Sequence, residues 1–258
     1  MSFVFGSFDT DSLGLIATLV SLPSVDGLSL ETLEAVGTDG RILGGTTRSG
    51  ATFDFDVVLE GSSPDDAAGK RDAFAAAVDP AKGEQWLTFD AAPDWRWKAI
   101  LAARIPWARV TWDAAAGFKF RATVRFSALE AYGRLAVDES WEYTSPGSRV
   151  ISRTKGNARS YPTVEIEGVL AEGDDVTVTL GDVECVVAGP LASGQVLRLD
   201  WDLFDFGLWT GGAKDASVVR GMSTLDRPEL WPSVATPFNV ATTGTVSRCA
   251  LFANSRRQ

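Results

Sequence analysis

The sequence predicts a mainly β chain: two β-rich modules and a single α-helix. Three observations carry that prediction. Apolar and polar residues alternate at period two in segment after segment, most clearly over 51–61 (ATFDFDVVLEG) and 117–132 (GFKFRATVRFSALEAY). Only 62–80 (SSPDDAAGKRDAFAAAVDP) carries both start and stop signals for a helix. The polar run RTKGNARS (153–160) ends at Tyr161-Pro162, and alternation begins at once, with Val164 and Ile166 on one face and Thr163, Glu165 and Glu167 on the other. Proline at the first position of a strand costs no ladder hydrogen bond, so this junction reads as a linker meeting the first strand of a second β domain.

In chain order, 3–8 and 13–22 read as strands separated by the acidic turn Asp9-Thr10-Asp11. Residues 23–50, rich in Gly, Asp, Thr and Ser, read as a long excursion or β arm. In the next segment Phe53, Phe55, Val57 and Leu59 oppose Asp54, Asp56 and Glu60, the pattern of a half-buried antiparallel strand. The helix follows immediately. Ser63 suits the N-cap, Pro64 the first helical position, Asp65 and Asp66 the positive end of the helix dipole, and Asp79-Pro80 stops it. Ala67, Phe74 and Val78 line its inner side, and Asp66 can pair with Lys70 one turn later.

Further strands are expected at 85–89, 95–105 and 107–112. In 117–132, Phe118, Phe120, Ala122, Val124 and Phe126 face one way and Lys119, Arg121, Thr123 and Arg125 the other. That Lys/Arg face is a candidate surface for an acidic partner, weighed against a merely solvated, edge-protecting row of charge. The expected division is an N-terminal domain over 1–135, a turn-rich linker over 136–160 and a β-sandwich over 161–258. Strands at 164–170, 176–180, 183–188, 195–201, 236–243 and 246–253, with turns at short intervals, support the sandwich. The tail 254–258 is expected to fray.

The formal net charge of −10 divides into −6 over 1–132 (12 Lys and Arg minus 18 Asp and Glu) and −4 over the remainder (12 minus 16). Neither half is basic, which argues against a protein that grips nucleic acid through phosphate contacts. No apolar run approaches a membrane span. The N-terminus MSFVFGSFDTDS lacks the basic and apolar regions of a signal peptide, so cytoplasmic synthesis is expected. Cys185 and Cys249 each sit in an apolar strand pattern and are expected as buried free thiols.

The chain has no histidine, which removes His-based triads and the commonest metal ligand. Asp200, Asp202 and Asp205 form the densest carboxylate cluster, able in principle to bind calcium or, with Asp226, to act as an acid/base pair. The spacing D-x-D-x-x-D lacks the glycine and closing glutamate of a calcium loop, and a solvated strand face opposite Leu199, Trp201 and Leu203 is the expectation. Gly44-Gly45 and Gly211-Gly212 lack the Lys, Ser or Thr of a phosphate loop. Trp209 and Trp231 lie in loop-like sequence where a ring could stack on a sugar, while Trp86, Trp95, Trp97, Trp107 and Trp112 belong to core or subunit interface. No catalytic residue, metal site or cofactor site is assigned.

An N-terminal F-x-F-G, an Asp-containing turn, and a strand leading into a capped helix with Lys70-Arg71 open a longer pattern. D-P-x-x-G-E-Q-x-L-x-F-D (79–90) and G-N-A-R-S-Y-P-T-V-E-I-E-G (156–168) complete it. In that order and spacing the residues resemble the distal tail protein family of long-tailed phages, the Dit-like siphovirus tail components. The resemblance implies an N-terminal belt module, a β-sandwich or split barrel with one helix and an extended hairpin, followed by a galectin-like or carbohydrate-module-like β-sandwich. It also implies a homo-hexameric ring at the virion tail tip that joins the tail tube protein to tail-tip hub or fibre proteins, near the tape measure protein. DNA would pass through its channel without specific binding, and no membrane is involved. An acidic wall repels a polyanion, which agrees with such a channel. Gly156, Asn157 and Arg159 are then expected as an inter-domain hinge. The competing readings are a carbohydrate-binding module for host wall polysaccharide, through Trp209 and Trp231, and a glycosidase using Asp200 or Asp202.

Overall fold

The computed structural model describes residues 2–20, 28–34, 41–48 and 50–257. The chain divides into two compact units, the first ending at Ala136 and the second spanning Val137–Arg257. The first unit contains β1 (Phe3–Phe5), β2 (Phe8–Asp9), a 3-10 turn (Thr10–Leu13), β3 (Ile16–Leu19), β4 (Leu28–Glu34), β5 (Arg41–Arg48), β6 (Thr52–Gly61) and α1 (Pro64–Ala77). It continues through β7 (Gln85–Phe89), β8 (Trp95–Leu101), β9 (Ala108–Asp113), β10 (Gly117–Ala128) and β11 (Gly133–Leu135). Its main sheet runs β2-β1-β7-β8-β10-β6-β3, with β9 added along β10 and β11 along β8. The pairs are antiparallel, and the sheet stays open, so the split-barrel expectation holds without closure.

Period-two patterning sets the faces. Phe53, Phe55, Val57 and Leu59 of β6 are buried, as are Phe120, Ala122, Val124 and Phe126 opposite them on β10. Helix α1 covers this apolar face. Ser63 caps it by accepting from Asp66 N at 3.1 Å, a contribution of about 1 kcal/mol, and Asp66 lies 3.4 Å from Lys70. Ala67, Phe74 and Val78 are fully buried, and Phe74 packs edge-on against Phe3, Phe8 and Trp107. Gly61 permits the strand-to-helix turn, because a Cβ there would sit within 2.7 Å of Ala67. Phe89 stacks on Trp97 at 5.1 Å, completing an aromatic core to which Trp95 also belongs. Residues 23–50 were expected as an excursion or β arm. The described part is a two-stranded ribbon, β4 with β5, that joins no other sheet of the described residues; 21–27, 35–40 and Arg48's neighbour Ser49 lie outside them.

The second unit contains β12 (Ser140–Tyr143), β13 (Gly147–Ser152), β14 (Thr163–Val169), β15 (Asp175–Leu180), β16 (Val183–Ala188), β17 (Val196–Asp200), β18 (Asp205–Thr210), β19 (Ala213–Ser217), β20 (Ala235–Thr242) and β21 (Thr245–Phe252). A six-stranded sheet, β12-β21-β14-β17-β18-β19, and a four-stranded sheet, β13-β20-β15-β16, share one core. Val164, Ile166, Leu197, Leu199, Trp201 and Phe206 from the first meet Val176, Val178, Leu180, Phe238 and Val240 from the second.

Two expectations change here. The 136–160 stretch carries β12 and β13, which pair along the edges of the two sheets of the second unit, so it is part of the sandwich and not a linker. The described part of the tail does not fray, Gln258 lying outside it: Asn254 N and Ser255 N donate to the Asp138 carboxylate at 2.5 and 3.0 Å, and Asn254 Nδ2 donates to Tyr161 O and Thr163 Oγ1 at 2.9 Å. The start and end of the second unit are thereby tied together.

Candidate functional site

The outward face of the six-stranded sheet concentrates the unit's unusual chemistry. Alternation that buries Val164, Ile166, Leu197 and Leu199 sends Glu165, Glu167, Val196 and Arg198 outward. Glu165 lies opposite Arg198, and Glu167 opposite Val196 and Arg248. Arg248 Nε donates to Glu142 at 2.7 Å and Nη1 to Glu167 at 2.7 Å. These two carboxylates hold the Arg248 guanidinium more firmly protonated than usual. Arg198 Nη2 donates to Asp200 at 3.0 Å, with Nε 4.0 Å from Glu165. The guanidinium of Arg198 lies 5.5 Å from the Trp209 ring centre.

Two cavities open on this face and share Val196. One, about 160 Å³, is bounded by Glu165, Arg198, Trp209 and the Gly211-Gly212 turn. The other, about 400 Å³, is bounded by Glu167, Val169, Ser193, Gln195, Thr245 and Ser247. A β-bulge lies at each end, at Glu167/Gly168 against β21 and at Leu208/Trp209 against β19. Bulges bend the strand and re-aim a side chain, and here they account for a concavity on an otherwise regular sheet. Trp209 Nε1 is a buried donor with no hydrogen-bond partner, and Arg198 Nε reaches Glu165 only at ion-pair distance, 4.0 Å.

Of the two candidate stacking residues, only Trp209 lies at these cavities. Trp231 is 47% exposed and donates from Nε1 to Glu229 at 3.1 Å, but lines neither cavity. Gly156, Asn157 and Arg159, expected as a hinge, lie well inside the second unit. Asn157 N donates to Arg256 O at 3.1 Å, and Arg159 Nη1 donates to Glu229 at 2.8 Å, so they brace a loop of that unit. Beside them sits Arg153, 2% exposed, whose Nη2 donates to Ala158 O while Nε and Nη1 have no partner. Burial pulls its pKa down, against the Coulombic influence of Glu139 and Asp138. The sequence offered no signal for this burial, because Arg153 falls in a run of polar residues.

The carboxylate cluster is not a solvated strand face. Asp200 is 3% exposed and accepts from Asp202 N at 3.0 Å and Leu203 N at 2.9 Å, capping the turn where β17 ends. Asp202 pairs with Arg256, and Asp205 with Lys214. Asp200 turns inward because the chain leaves strand geometry there, and alternation no longer governs the side chain. No group of three or more potential metal-holding side chains occurs among the described residues. The Lys/Arg face of β10 is likewise answered from within: Arg125 donates to Asp54 at 2.7 and 2.9 Å, Arg121 to Asp56 at 2.9 and 2.7 Å, and Lys119 lies 3.1 Å from Glu60. Cross-strand register puts an acid opposite each cation, so this face offers no net positive surface to an acidic partner.

Comparison with known proteins followed the same division. Residues 14–116 match the model of the phage tail protein RIFT-related domain. Among solved structures, the Dit (gp 19.1) protein of SPP1, described as a paradigm of the hub adsorption apparatus in phages infecting Gram-positive bacteria, superposes with a TM-score of 0.70 at 13% identity, over 97% of both chains. Chains of the phage P2 baseplate in its activated conformation align more loosely. The calcium form gives a TM-score of 0.47 at 9% identity over 97% and 93% of the two chains, and the strontium form 0.48 at 10% over 95% and 92%. No curated protein matches by sequence. Residues 14–116 are thus similar to a phage tail protein RIFT-related domain, within a chain that has the fold of SPP1 Dit.

Proposed function

We propose that this chain is a structural component of the tail tip of a long-tailed phage, a distal tail protein. In this reading its first unit assembles into a hexameric ring that joins the tail tube to tail-tip hub or fibre proteins and leaves a channel for DNA. The single observation that carries the reading is the fold shared with SPP1 Dit along almost the whole of both chains, together with the phage tail domain over 14–116.

Three physical features support it. The β4–β5 ribbon has no third strand among the described residues, and Leu30 on it is 56% exposed. An isolated two-stranded ribbon is marginal in water, so contact with a neighbouring subunit is the natural source of its stability. The net charge of −10 disfavours retention of a polyanion in the channel. The carboxylates at 200, 202 and 205 act within the fold as turn caps and ion-pair partners, which fits a structural role.

The test is native mass spectrometry and negative-stain imaging of the purified chain, alone and with the cognate tail tube protein. Six-fold rings are the expected result, and replacement of 28–48 by a short Gly-Ser loop should abolish them while leaving the β-rich circular dichroism spectrum. A strict monomer under all these conditions overturns the reading.

A further inference from the structure

The groove on the outward face of the six-stranded sheet is rich in carboxylate, with Glu142, Glu165 and Glu167 set against Arg198 and Arg248. The opposite balance holds at the turn that joins β17 to β18. We infer that this turn and the segment packed on it form a docking site for an acidic segment of a partner protein, which sets a carboxylate on Arg227 and an adjacent apolar side chain on Leu203 and Phe204. The inference goes beyond the ring-forming role and does not depend on it.

The site is built around Arg227. Its guanidinium lies between two aromatic rings, 3.8 Å from the centre of Tyr161 and 4.3 Å from that of Phe204. Nε donates to Trp201 O at 3.0 Å, and Nη2 donates to Trp201 O at 2.7 Å and to Asp202 O at 3.1 Å. Two ring faces and three hydrogen bonds thus fix its position, yet every one of these partners is a carbonyl or a ring, and the charge is left unanswered. Arg159 and Arg256 also approach the Tyr161 ring, at 5.9 and 5.1 Å, but Arg159 pairs with Glu229 and Arg256 with Asp202. Among the described residues no carboxylate pairs with Arg227, its exposed chain neighbour Asp226 included, and Nη1 donates to none of them. In a chain of net charge −10, a fixed guanidinium with a free nitrogen is a ready donor to an anionic oxygen.

Apolar surface adjoins this cation. Leu203 is 65% exposed and Phe204 50% exposed. The backbone of Phe204 has φ 54°, a left-handed conformation that is unfavourable for an aromatic residue and that glycine takes freely. In return the ring packs edge-on against Phe206 at 6.1 Å and against Arg227, and half of it still faces water. Strain spent on holding a ring part-way into solvent points to a contact made with another molecule. A guanidinium beside exposed apolar side chains suits an acidic peptide motif: the carboxylate takes a charge-assisted hydrogen bond, and the apolar neighbour removes ring surface from water. A polyanion without such a side chain would use the cation alone.

The test presents the labelled full chain to three arrays of synthetic octapeptides. The first sets a Leu, Phe or Trp beside Asp and Glu residues, the second replaces the acids by Asn and Gln, and the third replaces them by Lys. Calorimetry in solution confirms each hit. Peptides of the first array should bind saturably and lose affinity as salt is added, and the other two arrays should stay silent. Phe204→Gly should weaken the best peptide about tenfold while the urea midpoint holds or rises, because glycine accepts the left-handed backbone. Arg227→Lys keeps the charge but not the planar group held between the rings, and it too should weaken binding. Val150→Ala, at a 71% exposed position on β13, should bind as wild type. Silence from the first array, equal binding by the second, unchanged binding by Phe204→Gly, or displacement of the peptide by polyphosphate at equal charge concentration, the mark of a general polyanion site, overturns the inference. The oligomeric state, read on the same samples, reports separately on the ring.

Discussion

The two units handle charge in opposite ways. On the first, Asp54–Arg125, Asp56–Arg121 and Glu60–Lys119 form a ladder on the wet face of β6 and β10, with the arginine side chains more than half exposed. In the second, Asp200 is buried at a turn, Arg153 is buried beside Asp138 and Glu139, and Asp138 ties the start of that unit to the backbone at its end while Glu139 holds the backbone at 154–155. Exposed pairs trade water for one another at little net gain. Buried groups have lost their water, and whatever the protein fails to return to them is felt in full. The ladder therefore sets the register and net charge of a surface, whereas the buried groups set the stability of the sandwich.

The sharpest separation should come at Asp200. Its carboxylate satisfies two backbone N–H groups and one guanidinium nitrogen. Asp200→Ala is expected to destabilise the chain by about 3 kcal/mol, measured as a loss in urea midpoint at unchanged slope. A loss near zero would place Asp200 with the exposed ladder and dissolve the contrast.

Arg153 should move less, and in the opposite direction. Three of its polar nitrogens are buried, yet only Nη2 has a partner. Neighbouring Glu139 is already satisfied by Thr154 N, Thr154 Oγ1, Lys155 N and Ser255 Oγ at 2.8, 2.6, 3.0 and 3.1 Å, and these bonds overcome its burial to hold its pKa below the usual range. It does not need Arg153 to stay ionised. Arg153→Met should thus be neutral or stabilising by about 1 kcal/mol in the same urea experiment. A loss as large as that for Asp200→Ala would show that Arg153 holds the seam together.

What was legible in the sequence follows the same line. Helix α1, β6, β7, β10 and β16 were readable because each carries a local signal: a cap, a stop, or long alternation. Strands β12, β13, β18 and β19 were not read, because they are short or polar and exist through pairing with distant segments, Ser140 with Phe252 and Gly147 with Val240. Register decides between the two readings of the Lys/Arg face as well. Alternation showed that Arg121 and Arg125 share a face, but only the pairing of β10 with β6 shows that Asp56 and Asp54 lie opposite them. At the groove, Trp209 was legible as an aromatic in loop-like sequence. Arg198 and Glu165 looked like ordinary outward positions until register set them opposite one another.

The ladder itself should give the smallest effect, visible chiefly as a pH dependence. The side-chain hydrogen bonds from Arg125 and Arg121 lower the pKa of Asp54 and Asp56 below the usual carboxylate value despite some burial. A depressed folded pKa means that the unfolded chain takes up protons first as the solution is acidified. The stabilisation is therefore complete above the unfolded carboxylate pKa and is lost as pH falls through the folded one. Arg121→Met with Arg125→Met, which abolishes both pairs, should leave the urea midpoint at neutral pH almost unchanged, because the side chains are exposed and salt-screened. The same double variant should flatten the acid limb of the stability curve relative to wild type, and added salt should narrow the difference between the two. A neutral-pH loss comparable with that of Asp200→Ala would mean that exposed cross-strand pairs carry the first unit as buried ones carry the second, and the distinction between the two units would fail.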